Sequence, residues 1–356
     1  MSGSWILVSQ NGLDSLEFDP KATVTEEDLG PEDVLVDLFA ASLNYRELAT
    51  AKVSPTPITL PIIPHLVPGS DGSGRILATG SSVASLRPDL CVGNDVVTFM
   101  VPHIADDALP GFEDVNSGLG NQTHGTLRRR GVFHYSTLVR KPETLTHVQA
   151  ATLTCSALTA WNALWGNSGR AVKPGHWVLV QGTGGVSIAA LQLAVAAGAK
   201  VIAITSSDVK AERLHALGAA HVINYRTTPE WGKVAHNLTP NSHGVDHVID
   251  VAGPTTLPQS LKAVRRDGLV TVSGVLGGMG EGVQKVDLMS SMWNICNVRG
   301  VLLGSRDMLS DMVRFIDENK VSIAVDDMIF NFEDARDAFV RLRDQKHFSK
   351  VVIVTK

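Results

Sequence analysis

The segment Val178-Leu-Val-Gln-Gly-Thr-Gly-Gly-Val-Ser187 runs an apolar stretch into a glycine turn and out into an alanine-rich run. Glycines at this spacing suit the cradling of a pyrophosphate. The first makes a tight turn and the second lets the backbone approach the phosphates, while the following helix supplies unpaired N–H groups and partial positive charge. Gly182 and Gly184 take the first two places with Thr183 between them, and Gly185 and Val186 open the helix. Ser187 stands where a third glycine is usual, which explains it without a nucleophilic role. The loop is a common pattern on its own. Its setting gives it weight: a strand-like run before it, a helix over 187–197 after it, then Gly198 and a new strand over 200–205.

The elements around this loop follow from periodicity. Apolar strands at 177–181, 201–205, 221–224, 247–251 and 269–273 alternate with helical stretches at 186–197, 209–217, 231–238 and 256–266. That alternation predicts right-handed βαβ units and a doubly wound parallel sheet. Residues 1–150 read as β-rich, with strands such as Val34-Leu-Val-Asp-Leu-Phe39 and Gly74-Arg-Ile-Leu-Ala78 among many turn residues. The polar, glycine-containing stretch 102–130, ending in Arg128-Arg-Arg130, predicts a long surface loop, a variable insertion rather than a lid. After residue 304 the pattern predicts helices at 308–319 and 334–344 and a terminal strand at 350–354 that returns to the first domain. The expected division is 1–150, 151–304 and 305–356.

Composition narrows the function classes. The 356 residues carry a net charge of −5 without a basic run, which argues against a nucleic-acid surface and for a small-molecule ligand. No apolar run approaches the ~20 residues that span a bilayer, and the first residues lack a leader pattern, so a cytoplasmic protein without a membrane partner is expected. Cys91, Cys155 and Cys296 lie far apart and are read as free thiols.

Five further segments carry a resemblance over nearly the whole chain: Ala40-Ala-Ser-Leu-Asn-Tyr-Arg-Glu47, Val67-Pro-Gly-Ser-Asp-Gly-Ser-Gly74, Ala151-Thr-Leu-Thr-Cys-Ser-Ala-Leu-Thr-Ala-Trp161, the glycine loop, and Phe348-Ser-Lys-Val-Val-Ile353. With them the chain resembles the medium-chain dehydrogenase/reductase superfamily, in its zinc-independent quinone oxidoreductase and alcohol dehydrogenase-like branch. The resemblance implies a β-rich GroES-like catalytic domain beside a Rossmann-type dinucleotide-binding domain. In the zinc branch a cysteine stands at the place of Asn44, and Gly-His-Glu at the place of Gly69-Ser70-Asp71. Cys155 matches a third ligand, but one thiol beside Asp71 is a poor zinc site, so no metal is expected. None of the twelve histidines falls in a metal-binding pattern, and His65 and His134 are read as structural.

Cofactor choice turns on charge after the second nucleotide-domain strand, where NAD enzymes place an acidic residue on the ribose 2′-hydroxyl. Here stand Ser206 and Ser207, with Lys210 one turn on, while Asp208 is read as a helix N-cap. NADP(H) is therefore expected. The resemblance adds Tyr225, with Arg226 beside it, against the extra phosphate, and Thr159 near the nicotinamide. It adds Val251, Ala252 and Gly253, Gly274 and Val275, and Leu303, Gly304 and Ser305 at later strand ends. Lys350, read as a surface lysine ahead of a terminal strand, is a weaker candidate.

Without a Lewis acid, hydrogen bonds must stabilise a developing oxyanion, which suits acceptors that delocalise charge. The resemblance puts Asn44 and Tyr45 in the cleft as donors, with Ser70 behind them. Asn44 could equally hold a turn or the cofactor ribose, and Tyr45 could be half-buried packing. The resulting expectation is an NADPH-dependent, zinc-free reductase of quinones or α,β-unsaturated carbonyls, a tailoring enzyme for a reactive metabolite. Alternatives are an enoyl reductase on acyl thioesters, an NADP-dependent alcohol dehydrogenase, and an NADPH-binding protein with little turnover. A homodimer is expected, with 298–303 as an edge strand, though the same residues suit an internal strand.

Overall fold

The computed structural model describes residues 2–52, 61–278 and 286–356. The chain folds as two units, one of Thr159–Gly304 and one of Met1–Leu158 with Ser305–Lys356.

In the first of these units the strands are β1 (Trp177–Gln181), β2 (Lys200–Thr205), β3 (Ala219–Asn224), β4 (Val245–Asp250), β5 (Val264–Val272) and β6 (Asn297–Gly300). They are all parallel and lie in the order β3-β2-β1-β4-β5-β6. This is the doubly wound order, whose chain reversal beside β1 opens a ligand crevice at the carboxyl ends of the strands. Every residue of β1 is buried, which is why the sequence reads there as a continuous apolar run rather than an alternation. Helices α1 (Gly185–Ala196), α2 (Asp208–Ala216), α3 (Trp231–Leu238) and α4 (Leu257–Ala263) follow the first four strands in turn.

The predicted strands all form, but the 256–266 helix ends at Ala263. The chain enters β5 there, slips register between the pairs at Val245 and His247, and turns through Asp267 at a φ of 58°. Arg170 holds that turn by bonding the Asp267 carboxylate at 2.6 Å. The 298–303 segment contributes β6 at the open edge of the sheet, where alternate residues face solvent.

His247 on β4 is 3% exposed, with its Nε2 3.3 Å from Nδ1 of His176. Burial, aided by the His176 ring, pushes its pKa from 6.5 down to about 4. As pH falls from 6.5 the unfolded chain takes a proton that the folded unit refuses. Stability present above pH 6.5 is thereby lost on acidification, by about 3 kcal/mol at pH 4. Urea unfolding of His247→Gln at several pH values is expected to lose that part of the acid sensitivity. Equal pH slopes in variant and wild type would mean that the folded state accommodates the charge.

The second unit is built on a seven-stranded sheet. Its order is Ile329–Asn331, Val352–Val354, Asp33–Ser42, Asp71–Thr79, Asp95–Thr98 and Leu138–Arg140, with Arg130–His134 also paired to Asp33–Ser42. The terminal strand lies antiparallel to Asp33–Ser42, with Val352 opposite Ser42 and Val354 opposite Ala40. Trp5, Leu7, Leu43, Phe332, Phe339 and Ile353 form the heart of one core cluster.

The expected surface loop at 102–130 is corrected by the structure. It contains the helix Phe112–Ser117, and Gly125, Thr126, Leu127 and Arg128 are buried. Gly125, Thr126 and Leu127 donate their N–H groups to the carbonyls of Val67, Gly69 and Pro68. A side chain at Gly125 would strike the Gly69 carbonyl, so glycine here permits backbone against backbone rather than marking a surface turn. Arg128, 7% exposed, lies 4.6 Å over the Phe133 ring and donates to the Val132 carbonyl, and burial lowers its pKa to about 10.

Candidate functional site

The glycine loop sits at the carboxyl end of β1, where α1 begins. Gly182 has a φ of 75° and donates its N–H to the Ile204 carbonyl, and side chains added at Gly182 or Gly184 would meet open space. Ser187 fills the third position by donating its hydroxyl to the Gln181 carbonyl at 2.5 Å, tying helix to strand. That geometry fits a pyrophosphate: backbone N–H groups at a helix N-terminus face a space without side chains.

The other nominated residues of this unit stand on the same rim. Ser206 and Ser207 follow β2, Tyr225 follows β3, Val251 to Gly253 follow β4, Gly274 and Val275 follow β5, and Leu303 and Gly304 lie beyond β6. Backbone bonds lace the rim together, from Tyr225 to the Thr205 carbonyl, from Leu276 to Val251 and from Gly277 to Ala252. Thr159 Oγ1 reaches the Leu302 carbonyl at 3.5 Å, and Asn162 bonds the Leu303 carbonyl. Arg299 fixes Asn162 in turn through its Oδ1 at 2.7 Å. Ser207, not Asp208, is the N-cap of α2, accepting the Lys210 N–H at 3.4 Å. Asp208 occupies the first helical turn instead, and its carboxylate accepts from the Asn224 amide at 2.8 Å. Tyr225 is 40% exposed.

Asp250, fully buried at the end of β4, was not nominated by the sequence. Its Oδ1 accepts from the N–H groups of Ala252 and Gly253 and from the Thr256 hydroxyl, and its Oδ2 from Gln181 and Ser260. One carboxylate thereby sets the 251–253 turn and joins β1, β4 and α4. Its sequence signal is faint: an acidic residue ends an apolar strand just before Gly253-Pro254.

In the other unit, Asn44 caps the helix Tyr45–Thr50, and the Glu47 carboxylate accepts its N–H at 2.5 Å. Glu47 is buried, and burial raises its pKa against the opposing pull of Arg46. Strand register places Ser42 opposite Asp71, and the next N–H, from Leu43, bonds the Val351 carbonyl at 3.0 Å. This pairing brings the chain ends of the site together. Lys350, expected at the surface, is 4% exposed because Val351 and Val352 beside it belong to the sheet core. Its ammonium bonds Asn44 Oδ1 and lies 3.1 Å from Asp71 Oδ2.

Asp71 is fully buried and also accepts from Ser70 Oγ at 2.7 Å and Ser42 Oγ at 3.4 Å. Asn44 Oδ1 takes a second bond from Ser156 at 3.2 Å, while its Nδ2 lies 3.5 Å from Ser70 Oγ. Cys155 and Ser156 belong to the π-helical turn Leu153–Ala157. Burial pushes the Cys155 thiol up to about 12, although the residue as a whole keeps partial exposure. Tyr45 projects outward, 58% exposed with no hydrogen bond to its hydroxyl among the described residues, which removes its reading as half-buried packing. Ser305 caps the helix Arg306–Asn319 through the Met308 N–H.

Among the described residues no group of three His, Cys, Asp or Glu side chains converges as a metal site. His134 bridges Glu32 at 2.9 Å and Ser136 at 2.7 Å. No helix among the described residues is long and apolar enough to cross a membrane.

Comparison with known proteins adds to this geometry. Residues 30–149 match the alcohol dehydrogenase GroES-like domain, and residues 185–318 match the zinc-binding dehydrogenase family. A zinc-type alcohol dehydrogenase-like protein of Schizosaccharomyces pombe is 39% identical over 345 residues, spanning 96% of each chain. A crotonyl-CoA carboxylase/reductase of Cereibacter sphaeroides is 30% identical over 269 residues, 67% of this chain and 62% of that protein. The crystal structure of an NAD-dependent alcohol dehydrogenase superposes over the whole of both chains with a TM-score of 0.83 and 29% identity.

Proposed function

The chain belongs to the medium-chain dehydrogenase/reductase superfamily and is an oxidoreductase of its alcohol dehydrogenase-like family, and from that premise we propose that it is an NADPH-dependent, zinc-free reductase of activated carbonyl acceptors, quinones or enones. The observation that carries the metal-free reading is the chemistry of the donor set. The groups at the zinc branch's ligand places are a carboxamide at Asn44, a hydroxyl at Ser70 and the lone thiol of Cys155, and the Asp71 carboxylate beside them is already paired with Lys350. A second cation would also meet the Lys350 ammonium bonded between Asn44 and Asp71. This set does not fit zinc.

The family's nicotinamide cofactor supplies the hydride when bound. Gly182, Thr183, Gly184, Gly185 and Val186 would hold its pyrophosphate. NADPH is favoured because serines, Ser206 and Ser207, stand at the tip of β2 where an NAD enzyme places a carboxylate, while Asp208 behind them bonds Asn224, and Lys210, near in sequence, and Tyr225, after the adjoining β3, would meet a 2′-phosphate. Asn44 and the outward Tyr45 hydroxyl donate to the acceptor oxygen as it gains charge, and solvent returns the proton. The exposed edge of β6, flanked by exposed Leu288, Met292 and Trp293, supports pairing with a second copy, which sedimentation velocity distinguishes from a monomer.

A second reading, reduction of enoyl thioesters, is favoured by the likeness to the crotonyl-CoA carboxylase/reductase. After dialysis against a chelator, the protein is expected to oxidise NADPH with quinones, enones or enoyl thioesters at an unchanged rate. NADH is expected to serve at least about tenfold less well, the worth of one lost charged contact of ~1.4 kcal/mol. Loss of turnover on chelation with recovery on zinc would overturn the metal-free reading. Tight NADPH binding without oxidation of any acceptor would leave a binding protein.

A further inference from the structure

The polar cluster contains a cation that this chemistry has not yet used. Lys350 lies 306 residues from Asn44 in sequence, yet its ammonium bonds the Asn44 carboxamide oxygen inside the protein. Ser156 donates to that same oxygen, so both donors fix which end of the amide is which. The NH2 is left facing Ser70, and among the described residues it is engaged only by the 3.5 Å approach to Ser70 Oγ. Asp71 holds the ammonium from the other side and is steadied by Ser70 and Ser42.

Resting on the reading above, we propose that Lys350 is a positioning residue that locks Asn44 with its NH2 toward the acceptor and polarises that NH2 through the amide, so that an internal ammonium does the electrostatic work of a Lewis acid. A positive charge at an amide oxygen draws density from the nitrogen and strengthens its N–H groups as donors. Hydrogen bonds in series reinforce one another in this way inside a low-dielectric interior. An amide oriented before the acceptor arrives also needs no reorganisation as negative charge develops. The backbone is arranged for this: the Lys350 carbonyl accepts from Asp326 at 3.0 Å, and Ser349 before it adopts a φ of 61°, fastened by its hydroxyl to the Ala324 carbonyl.

The test must separate this role from the plain stability of a buried ion pair. Lys350→Met alone strands the Asp71 carboxylate and is expected to destabilise. The double variant Lys350→Met with Asp71→Asn removes both charges at nearly constant volume and is expected to recover the melting temperature. With NADPH and the preferred acceptor from the panel, its kcat is expected to stay about 10- to 100-fold below wild type, the range for losing an oriented donor. Its Kd for NADPH is expected to stay within about twofold, since the Lys350 ammonium is spent on Asn44 and Asp71; a larger loss would make Lys350 a cofactor contact and overturn the proposal. A double variant that recovers both melting temperature and kcat would reduce the pair to a structural role and overturn the proposal. The proposal is also read without turnover, by the side-chain amide resonances of selectively 15N-labelled asparagine. A shift and faster exchange of the Asn44 NH2 signals in the folded double variant would support the locking, and unchanged signals would overturn it. A wild type that turns nothing over, with the shift still seen in the double variant, would refute the reductase reading and leave the locking of Asn44 standing.

Discussion

Substituting valine for Gly184 is expected to weaken NADPH binding about 100-fold or more, or ~2.7 kcal/mol, while leaving the melting temperature within about 2 °C of wild type. The separation follows from local geometry. Gly184 has φ −81° and ψ 175°, an extended conformation open to any residue, and a Cβ there has no atom within 4 Å beyond its chain neighbours among the described residues. The fold therefore tolerates the substitution. The open space is what a pyrophosphate needs to reach the N–H groups at the start of α1, and an isopropyl group would fill it. Gly182 is a poorer probe, because its φ of 75° would add backbone strain to the loss of binding. Fluorescence titration with NADPH, paired with thermal unfolding, checks both halves. A Kd within about threefold of wild type would remove this loop from the cofactor site.

The second large effect is expected at Asp250. In Asp250→Asn the charge is lost and one carboxylate oxygen becomes an NH2, which either meets the Ala252 and Gly253 N–H groups donor against donor or forces the Gln181 amide and Ser260 hydroxyl to turn round and accept it. One oxygen faces Ala252, Gly253 and Thr256, and the other faces Gln181 and Ser260. Burial keeps water from repairing the mismatch. Lost bonds to a buried charge and the stranded donors together are expected to cost about 3 kcal/mol, which lowers the melting temperature by roughly 10 °C in a unit of this size. The 251–253 turn should loosen with it, so NADPH affinity is expected to fall about tenfold, an effect that a remote core defect of equal cost would not produce. A normal melting temperature would show that the turn holds without the carboxylate. Unchanged affinity at a lowered melting temperature would detach the turn from the cofactor.

The doubly wound sheet and the glycine loop were legible because their information is local. A strand buried on both faces is a continuous apolar run, as 177–181 is, and a tight turn with positive φ asks for glycine at that residue. The helix end at 256–266 was missed because the sheet claimed Val264 for β5 against its helical neighbours. The 102–130 stretch misled for a related reason. Polar residues and glycines ordinarily mark a surface loop, but here Gly125 and its neighbours spend their backbone bonds on 67–69 and are buried. Asp208 read as a cap because serine and aspartate are both good caps, and the structure chose Ser207. Lys350 read as a surface residue because lysine is seldom buried, a preference that fails when a carboxylate and an amide oxygen wait for it.

What the sequence by itself determined, then, is the alternation that builds β1 to β5 with their helices and the loop that presents N–H groups at α1. Those depend on neighbours within a few residues. What only the tertiary structure decided is which charges are buried and with whom: Asp250 under five donors, and Lys350 between Asn44 and Asp71. The physical reason is that desolvating a charge is costly unless its partners are placed to meet it. For Lys350 those partners arrive through strand register, with Ser42 opposite both Asp71 and Val352, a coincidence of three segments far apart along the chain.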